Sequence, residues 1–228
     1  MLSKDTLTKR HHWLFGAAGI TSALLYIAAW IIGDILRPGF SMQTQAVSEL
    51  IEAGAPNKLL LDIMILGFHL LVIPFAYGLY KNINDGRGSK VGAILLACAG
   101  LLGMVLTLFF PCDPGCVADT FRGTMHIALA IPLGFLILFA ILAFSRHLKQ
   151  DELWAGYGTY SLATFFIGLV MGVLAAAFAK GGIGGILERL VGIAYQQWYI
   201  VMGIALIQRS RSTASEKQAH HLQTQSAR

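Results

Sequence analysis

The chain has 228 residues, of which 56% are hydrophobic and 13% charged, and its formal net charge is +5 at pH 7. Soluble globular domains usually carry about one quarter charged residues, so this balance excludes a disordered chain, a solvated repeat array and an ordinary soluble enzyme. Uncharged apolar stretches of about 20 residues instead predict membrane-spanning helices.

In chain order, six apolar stretches are each long enough to cross the hydrocarbon of a bilayer, at about 1.5 Å of rise per residue. We therefore predict an all-α fold, a polytopic membrane protein whose residues 1–208 form a six-helix transmembrane bundle. Residues 209–228 are polar and lack apolar periodicity, which predicts a disordered cytoplasmic tail. The predicted spans are Trp13–Leu36, Leu59–Tyr80, Val91–Phe110, Thr124–Phe144, Tyr157–Phe178 and Ile186–Ile207.

The basic residues predict the orientation of the bundle. Twelve of the 17 Lys and Arg residues lie at the termini or in the connections after the second and fourth spans. Because cytoplasmic loops carry the excess of Lys and Arg, both termini are expected in the cytoplasm. A basic rim beside anionic lipid also explains the net charge without a nucleic-acid partner.

Residues 37–58 form the longest connection, between the first two spans. A Pro-Gly pair ends the first span, and helix-forming residues follow until a Gly-Ala-Pro run. This pattern predicts a short extra helix over the outer mouth of the bundle. Ser48 and Glu49 in that helix are candidate ligand-binding residues.

The second span carries two ionisable residues, Asp62 and His69. Seven residues are nearly two helical turns, so both are predicted on the same side of the helix. His69 is about 15 Å along the helix from its outer end, near the centre of the membrane. A buried ionisable residue at that depth is a candidate functional residue, although a neutral histidine hydrogen-bonded to a neighbouring helix is an equally simple interpretation.

The connection between the third and fourth spans contains Cys112 and Cys116 on either side of an Asp-Pro-Gly turn. On the predicted extracytoplasmic side the two cysteines can form a disulfide. Free thiols, and a zinc site that adds His126 as a ligand, are the alternatives. Asp113 in the turn and His126 at the start of the fourth span are further candidates for ligand binding.

The sixth span begins with Glu188 and Arg189 close to the predicted outer edge of the membrane. Neighbouring residues on a helix point about 100° apart, so the two side chains are expected to meet partners on other helices. With the residues above, they place most of the unusual polar groups at the outer end. Such a cluster is either a polar network that closes the bundle or a pocket open to the outer side.

Several runs of residues resemble an uncharacterised membrane family, domain of unknown function 998 (DUF998). They are Pro38-Gly39-Phe40-Ser41, Val47-Ser48-Glu49-Leu50 and Gly54-Ala55-Pro56-Asn57 in the first loop, Phe110 to Cys116 with the later His126, and Glu188-Arg189 with Trp198. The resemblance implies a six-helix bacterial or archaeal inner-membrane protein without an assigned activity.

Three functions are consistent with these residues. The first is a non-enzymatic membrane protein that binds a lipid headgroup or small polar ligand at its outer face, with Arg189 as donor to the ligand. The second is a membrane-embedded lipid hydrolase or transferase that uses Ser48, Glu49, Asp113 and His126. The third is a small proton-coupled transporter. The sequence contains no signature motif of catalysis, of cofactor binding or of a resident metal, so we expect no catalytic activity, no cofactor and no bound metal. The sequence does not determine the oligomeric state.

Overall fold

The computed structural model describes residues 12–84, 89–179 and 181–226, and in these ranges the chain is helical and contains no strand. The six long helices are α1 (His12–Leu36), α2 (Lys58–Asn82), α3 (Lys90–Phe109), α4 (Phe121–Lys149), α5 (Tyr157–Ala177) and α6 (Gly184–Ser226). All six are long and apolar enough to cross a membrane, which confirms the predicted six-helix bundle.

The helices form a closed ring in sequence order. Each of them packs against the helix before it and the helix after it, and α6 returns to pack along α1. Gly16 and Gly203 make that last contact possible, because a Cβ on Gly203 would lie 2.6 Å from the carbonyl oxygen of Gly16. The two backbones therefore touch, and side chains on all six helices can face one interior.

The predicted helix ends lie within three residues of the observed ends, except at the C-termini of the fourth and sixth spans. There the helices continue past the last apolar residue, because hydrogen bonding within a helix does not end where the apolar sequence does. The backbone of α6 is helical as far as Ser226, where the sequence predicts a disordered tail. Good helix formers such as Ala, Gln, Glu and Lys in that segment account for the difference.

Short connections alternate between the two ends of the ring. The first loop (residues 37–57), the cysteine loop (residues 110–120) and the connection after α5 share one end, which we call the polar end. The predicted short helix of the first loop is a 3₁₀ helix, Val47–Ile51. The opposite end holds the connections after α2 and α4.

The two halves of the ring interior differ in how they are filled. Towards the opposite end, large side chains pack into a solid core with almost no exposure; they include Phe75, Phe144, Trp198, Tyr199 and Met202. Towards the polar end the interior residues leave a space between the helices. The fold therefore closes the bundle at one end and keeps a hollow at the other.

Candidate functional site

The hollow is a cavity of about 230 Å³ that the helices surround and the first loop covers. It extends to His69 and Tyr195, each 11 residues into its helix, which corresponds to a depth of about 16 Å. Its walls are mainly apolar, with polar side chains at two levels. Near the first loop these are Ser48, Thr107, His126 and Glu188, and deeper in the bundle they are Tyr26, His69, Tyr195 and Gln196.

Arg189 fastens the first loop to α6. Its Nη1 donates to the carbonyl oxygens of Met42 at 3.0 Å, Gln45 at 2.8 Å and Gly185 at 2.9 Å. The guanidinium lies over the rings of Trp30 and Phe40, and the residue is only 6% exposed. Arg189 does not line the cavity, so the structure gives it a loop-holding contact where the sequence suggested a donor to the ligand.

Glu188, the residue before Arg189, lines the cavity. Its Oε2 accepts the backbone N–H of Val47 at 3.0 Å, at the start of the 3₁₀ helix. Glu188 makes no direct ion pair within the described residues, although Arg189 is the next residue of the helix and its charge acts on Glu188. Glu188 thus anchors the first loop and presents a carboxyl group to the cavity.

Glu49 has its carboxylate turned away from the cavity. Its Oε1 accepts the backbone N–H of Ala46 at 2.8 Å and its Oε2 accepts Nε2 of Gln45 at 2.9 Å, so both oxygens serve the first loop. Arg37 donates to the carbonyl oxygen of Glu49 and forms an ion pair with Glu52 at 2.7 Å. Sequence reasoning grouped Glu49 with His126, but the structure does not bring the two side chains into contact.

The first loop is also tied to the cysteine loop. Glu52 Oε2 accepts the backbone N–H of Gly115 at 2.6 Å, and the N–H of Ala53 donates to the carbonyl of Cys112 at 2.9 Å. Cys112 and Cys116 are joined by a disulfide. The Ser48 hydroxyl lies 3.3 Å from the sulfur of Cys116, which places the disulfide directly behind the cavity wall.

Asp113 caps the start of α4 and does not line the cavity. It accepts the backbone N–H and the hydroxyl of Thr120 at 2.8 and 2.9 Å, and it pairs with Arg122 at 3.3 Å. Burial disfavours the ionised form of Asp113, but the hydrogen bonds from Thr120 and Arg122 outweigh that effect and its pKa lies below the usual value. Its role in the structure is to hold the cysteine loop against α4.

His126 faces the cavity with one ring nitrogen already engaged. Its Nδ1 donates to the carbonyl oxygen of Phe110 at 2.7 Å, which fixes the ring and leaves Nε2 as the free nitrogen. The ring also lies near the disulfide, with candidate ligand atoms of His126, Cys112 and Cys116 all within 4.8 Å of one another. Because the sulfurs are bonded to each other, they are not the thiolates that a zinc ion requires.

His69 lies at the bottom of the cavity. Its ring packs on Gly103 of α3, where a Cβ would lie 2.0 Å from a ring atom, and it makes no hydrogen bond within the described residues. Asp62, predicted on the same side of α2, forms an ion pair with Lys58 at 2.6 Å instead and does not line the cavity. The cavity-facing residues of α2 are centred on Leu61, Ile65 and Phe68, so Asp62 falls at the edge of that stripe.

A sequence model of the family described as protein of unknown function (DUF998) matches residues 20–205. The chain belongs to the DUF998 family. No curated protein and no solved structure matches it. Except for Trp198, which lies in the solid core, the segments through which the sequence resembles DUF998 meet at the polar end, where the first loop contacts both the cysteine loop and the first turns of α6.

Three polar residues of the DUF998 cavity were missed by sequence reasoning: Tyr26, Thr107 and Gln196. Gln196 is the most informative of them, because it is 2% exposed and its Oε1 has no hydrogen-bond partner within the described residues. A neutral amide or phenol in an apolar span gives little signal in hydropathy or charge. Helical spacing was the available clue, because Tyr195 and Gln196 follow Glu188 by seven and eight residues, about two helical turns, and so lie near its face of the helix.

Proposed function

We propose that this multi-pass membrane protein binds a lipid headgroup or a small polar ligand in the cavity at its polar end, without catalysing a reaction. The observation that carries the proposal is an interior hollow in which two polar side chains, Gln196 and His69, have polar atoms without a hydrogen-bond partner among the described residues. Buried polar groups are normally hydrogen-bonded, and an unpartnered one costs about 1–3 kcal/mol. Gln196 lines the cavity and its Oε1 is in that condition, and the His69 ring beside it makes no hydrogen bond within the described residues; a ligand that bonds to them would supply the missing partners.

The orientation and the membrane belong to the same proposal. The polar end faces the extracytoplasmic side of a cytoplasmic membrane, because the opposite end and the termini carry most of the Lys and Arg residues. A fluorescent protein fused to the C-terminus should then fluoresce, whereas an alkaline phosphatase fusion at the same site should be inactive. The reverse result would place the cavity on the cytoplasmic side.

Filling the cavity tests the binding function. Gly134 lines the cavity, and a Cβ there would meet only the Tyr195 hydroxyl, at 3.9 Å, so Gly134→Leu adds volume to the hollow without striking the backbone. Gly172→Leu is the matched control, because a Cβ at Gly172 meets nothing within 4 Å. Both variants are purified gently and examined by native mass spectrometry.

We expect wild type and Gly172→Leu to retain the same lipid or small molecule and Gly134→Leu to lose it. Unchanged retention in a folded Gly134→Leu protein would show that the cavity is not the binding site. The mass of the retained species also distinguishes a lipid from a free small molecule.

A lipid hydrolase or transferase is the second candidate, and the position of His126 favours it. His126 and Ser48 line the same cavity, and the Phe110 carbonyl orients the ring with Nε2 free to act as a base. Neither Glu49 nor Asp113 orients His126, so this candidate uses Ser48 and His126 alone. A fluorophosphonate probe should label wild type but not Ser48→Ala if it is correct, and an unlabelled wild type would rule out an activated Ser48.

A further inference from the structure

The charged residues of the cavity lining are of one sign only, and this feature identifies the chemical class of the ligand more closely than the size or polarity of the cavity does. Glu188 is the one acidic residue in its described lining, and no Lys or Arg lies among those residues. The nearest candidate counter-charge on the same helix, Arg189, has its Nη1 committed to three backbone carbonyls of the first loop and of α6. The Arg189 charge acts on Glu188 from outside the lining but forms no direct ion pair with it among the described residues, so Glu188 is the acidic group that the cavity wall itself presents.

A carboxylate in a largely apolar hollow is costly, because burial removes its hydration. The backbone N–H groups of Val47 and Ser48 donate to Glu188, which is fewer than the roughly four hydrogen bonds that a carboxylate can accept. The group that would complement it best is a cation that donates hydrogen bonds. An anionic ligand such as a bare phosphate would instead be repelled.

The other polar groups of the cavity also favour a donor. Gln196 Oε1 is buried and accepts no hydrogen bond from the described residues, and Nε2 of His126 is left to accept because Nδ1 donates to Phe110. Tyr26 and Tyr195 also line the wall, and aromatic side chains suit an ammonium group by cation–π attraction. Carboxylate, amide oxygen and aromatic side chains together form a site of the kind that binds an amine.

We propose that the ligand carries an ammonium group, which binds at Glu188 while its apolar part lies along the deeper wall near Ile65, Phe68 and Ile137. This inference rests on the proposed binding function and names the chemical class of its ligand. The volume of about 230 Å³ suits an amine headgroup or a short alkylamine and is below the roughly 300–1,000 Å³ of pockets for drug-sized molecules. An amine-headgroup phospholipid and a free alkylamine share this chemistry.

Three probes of similar size separate charge from shape: butylammonium, butanol and butyrate. Their affinities are measured by calorimetry on the purified full-length protein, for wild type, Glu188→Gln and Asp62→Asn. Glutamine keeps the shape of Glu188 and an oxygen that can accept the Val47 N–H. Asp62→Asn is the matched control, because it removes a carboxylate that lies outside the cavity and pairs with Lys58.

We expect wild type to bind butylammonium more tightly than butanol, and not to bind butyrate. Glu188→Gln should weaken butylammonium binding by about 10-fold or more, the usual effect of losing a charged hydrogen-bond partner, and should leave butanol binding unchanged. Asp62→Asn should bind all three as wild type does. Equal butylammonium affinity in Glu188→Gln, or tighter binding of butyrate, would overturn the amine assignment.

The two sources of the amine are separated in lipid nanodiscs. Native mass spectrometry is performed after reconstitution with either phosphatidylethanolamine or phosphatidylglycerol. Retention of phosphatidylethanolamine alone, lost in Glu188→Gln, supports a lipid headgroup, whereas butylammonium binding with no retained lipid supports a free amine. If phosphatidylglycerol is retained and Gly134→Leu abolishes its retention, the amine class is refuted but the cavity is still a binding site. If Gly134→Leu leaves ligand binding unaffected, the cavity is not the binding site.

Discussion

Replacing Arg189 by alanine separates a loop-holding role from direct contact with a ligand. In the structure one nitrogen of this guanidinium serves three carbonyl oxygens, those of Met42, Gln45 and Gly185. Because Nη1 has two hydrogens, we count two full hydrogen bonds to a charged donor, about 1.5–3 kcal/mol each. Removing the guanidinium also removes the cost of burying its charge, and this gain offsets part of the lost hydrogen-bond energy. Arg189→Ala should therefore lower the free energy of unfolding by about 3 kcal/mol.

The measurement is reversible unfolding in mixed micelles, with denaturant titration of the wild type and three variants, Arg189→Ala, Arg189→Lys and Arg122→Ala. Arg122→Ala is the control, because its guanidinium is 42% exposed and makes a single ion pair at the same end of the bundle. Such a pair contributes about 0–1 kcal/mol. Arg189→Lys should recover part of the stability, because an ammonium also donates to carbonyl oxygens.

A stable Arg189→Ala protein that no longer retains its ligand would refute this reasoning. It would restore the sequence-based interpretation, in which Arg189 is the donor to the ligand. A destabilised variant whose folded fraction still retains the ligand would support the loop-holding role.

Three further predictions concern the walls of the cavity and the loops that cover it. Burial disfavours ionisation of Asp113, but its hydrogen bonds outweigh that effect and lower its pKa in the folded protein below the unfolded value of 3.8. The ionised carboxylate therefore stabilises the fold above pH 3.8, and this stabilisation is lost as the pH falls through the lower folded pKa. Asp113→Asn should remove this part of the acid dependence when the free energy of unfolding is measured against pH. Gly103→Ala should displace the His69 ring and cost about 1–3 kcal/mol, with weaker ligand retention in native mass spectrometry, and unchanged retention would argue against His69 as a contact. Thiol labelling should leave the half-buried Cys116 unmodified until a reductant is added, and reduction should cost about 2 kcal/mol for so short a loop, whereas labelling of Cys116 without a reductant would show free thiols.

Much of the fold could be read from the sequence because a bilayer imposes a simple rule. A helix that crosses hydrocarbon needs about 20 apolar residues, so the spans are visible as uncharged runs and their ends as charges, Pro and Gly. The clustering of polar residues at one end followed from counting along those spans. The short helix in the first loop was visible in the same way, although Val47–Ile51 is a 3₁₀ helix and shorter than the sequence indicated.

The site was less predictable, because depth in the membrane does not reveal which way a side chain turns. Glu49 and Asp113 lie at the same end as Glu188, yet their carboxylates bind loop backbone while Glu188 faces the cavity. Gln196 lies in an apolar helix and carries no charge, so neither hydropathy nor charge set it apart in the sequence.

The sequence by itself determined the six spans, the connections between them and the end of the bundle where the polar groups gather, because hydrophobicity and charge act through local composition. The tertiary structure alone decided which groups share the cavity. The rotation of each helix about its axis is set by its packing against two neighbours, and close contacts such as Gly16 with Gly203 fix that rotation. A hollow beside a solid aromatic core arises only when all six helices are packed together, and no single span specifies it.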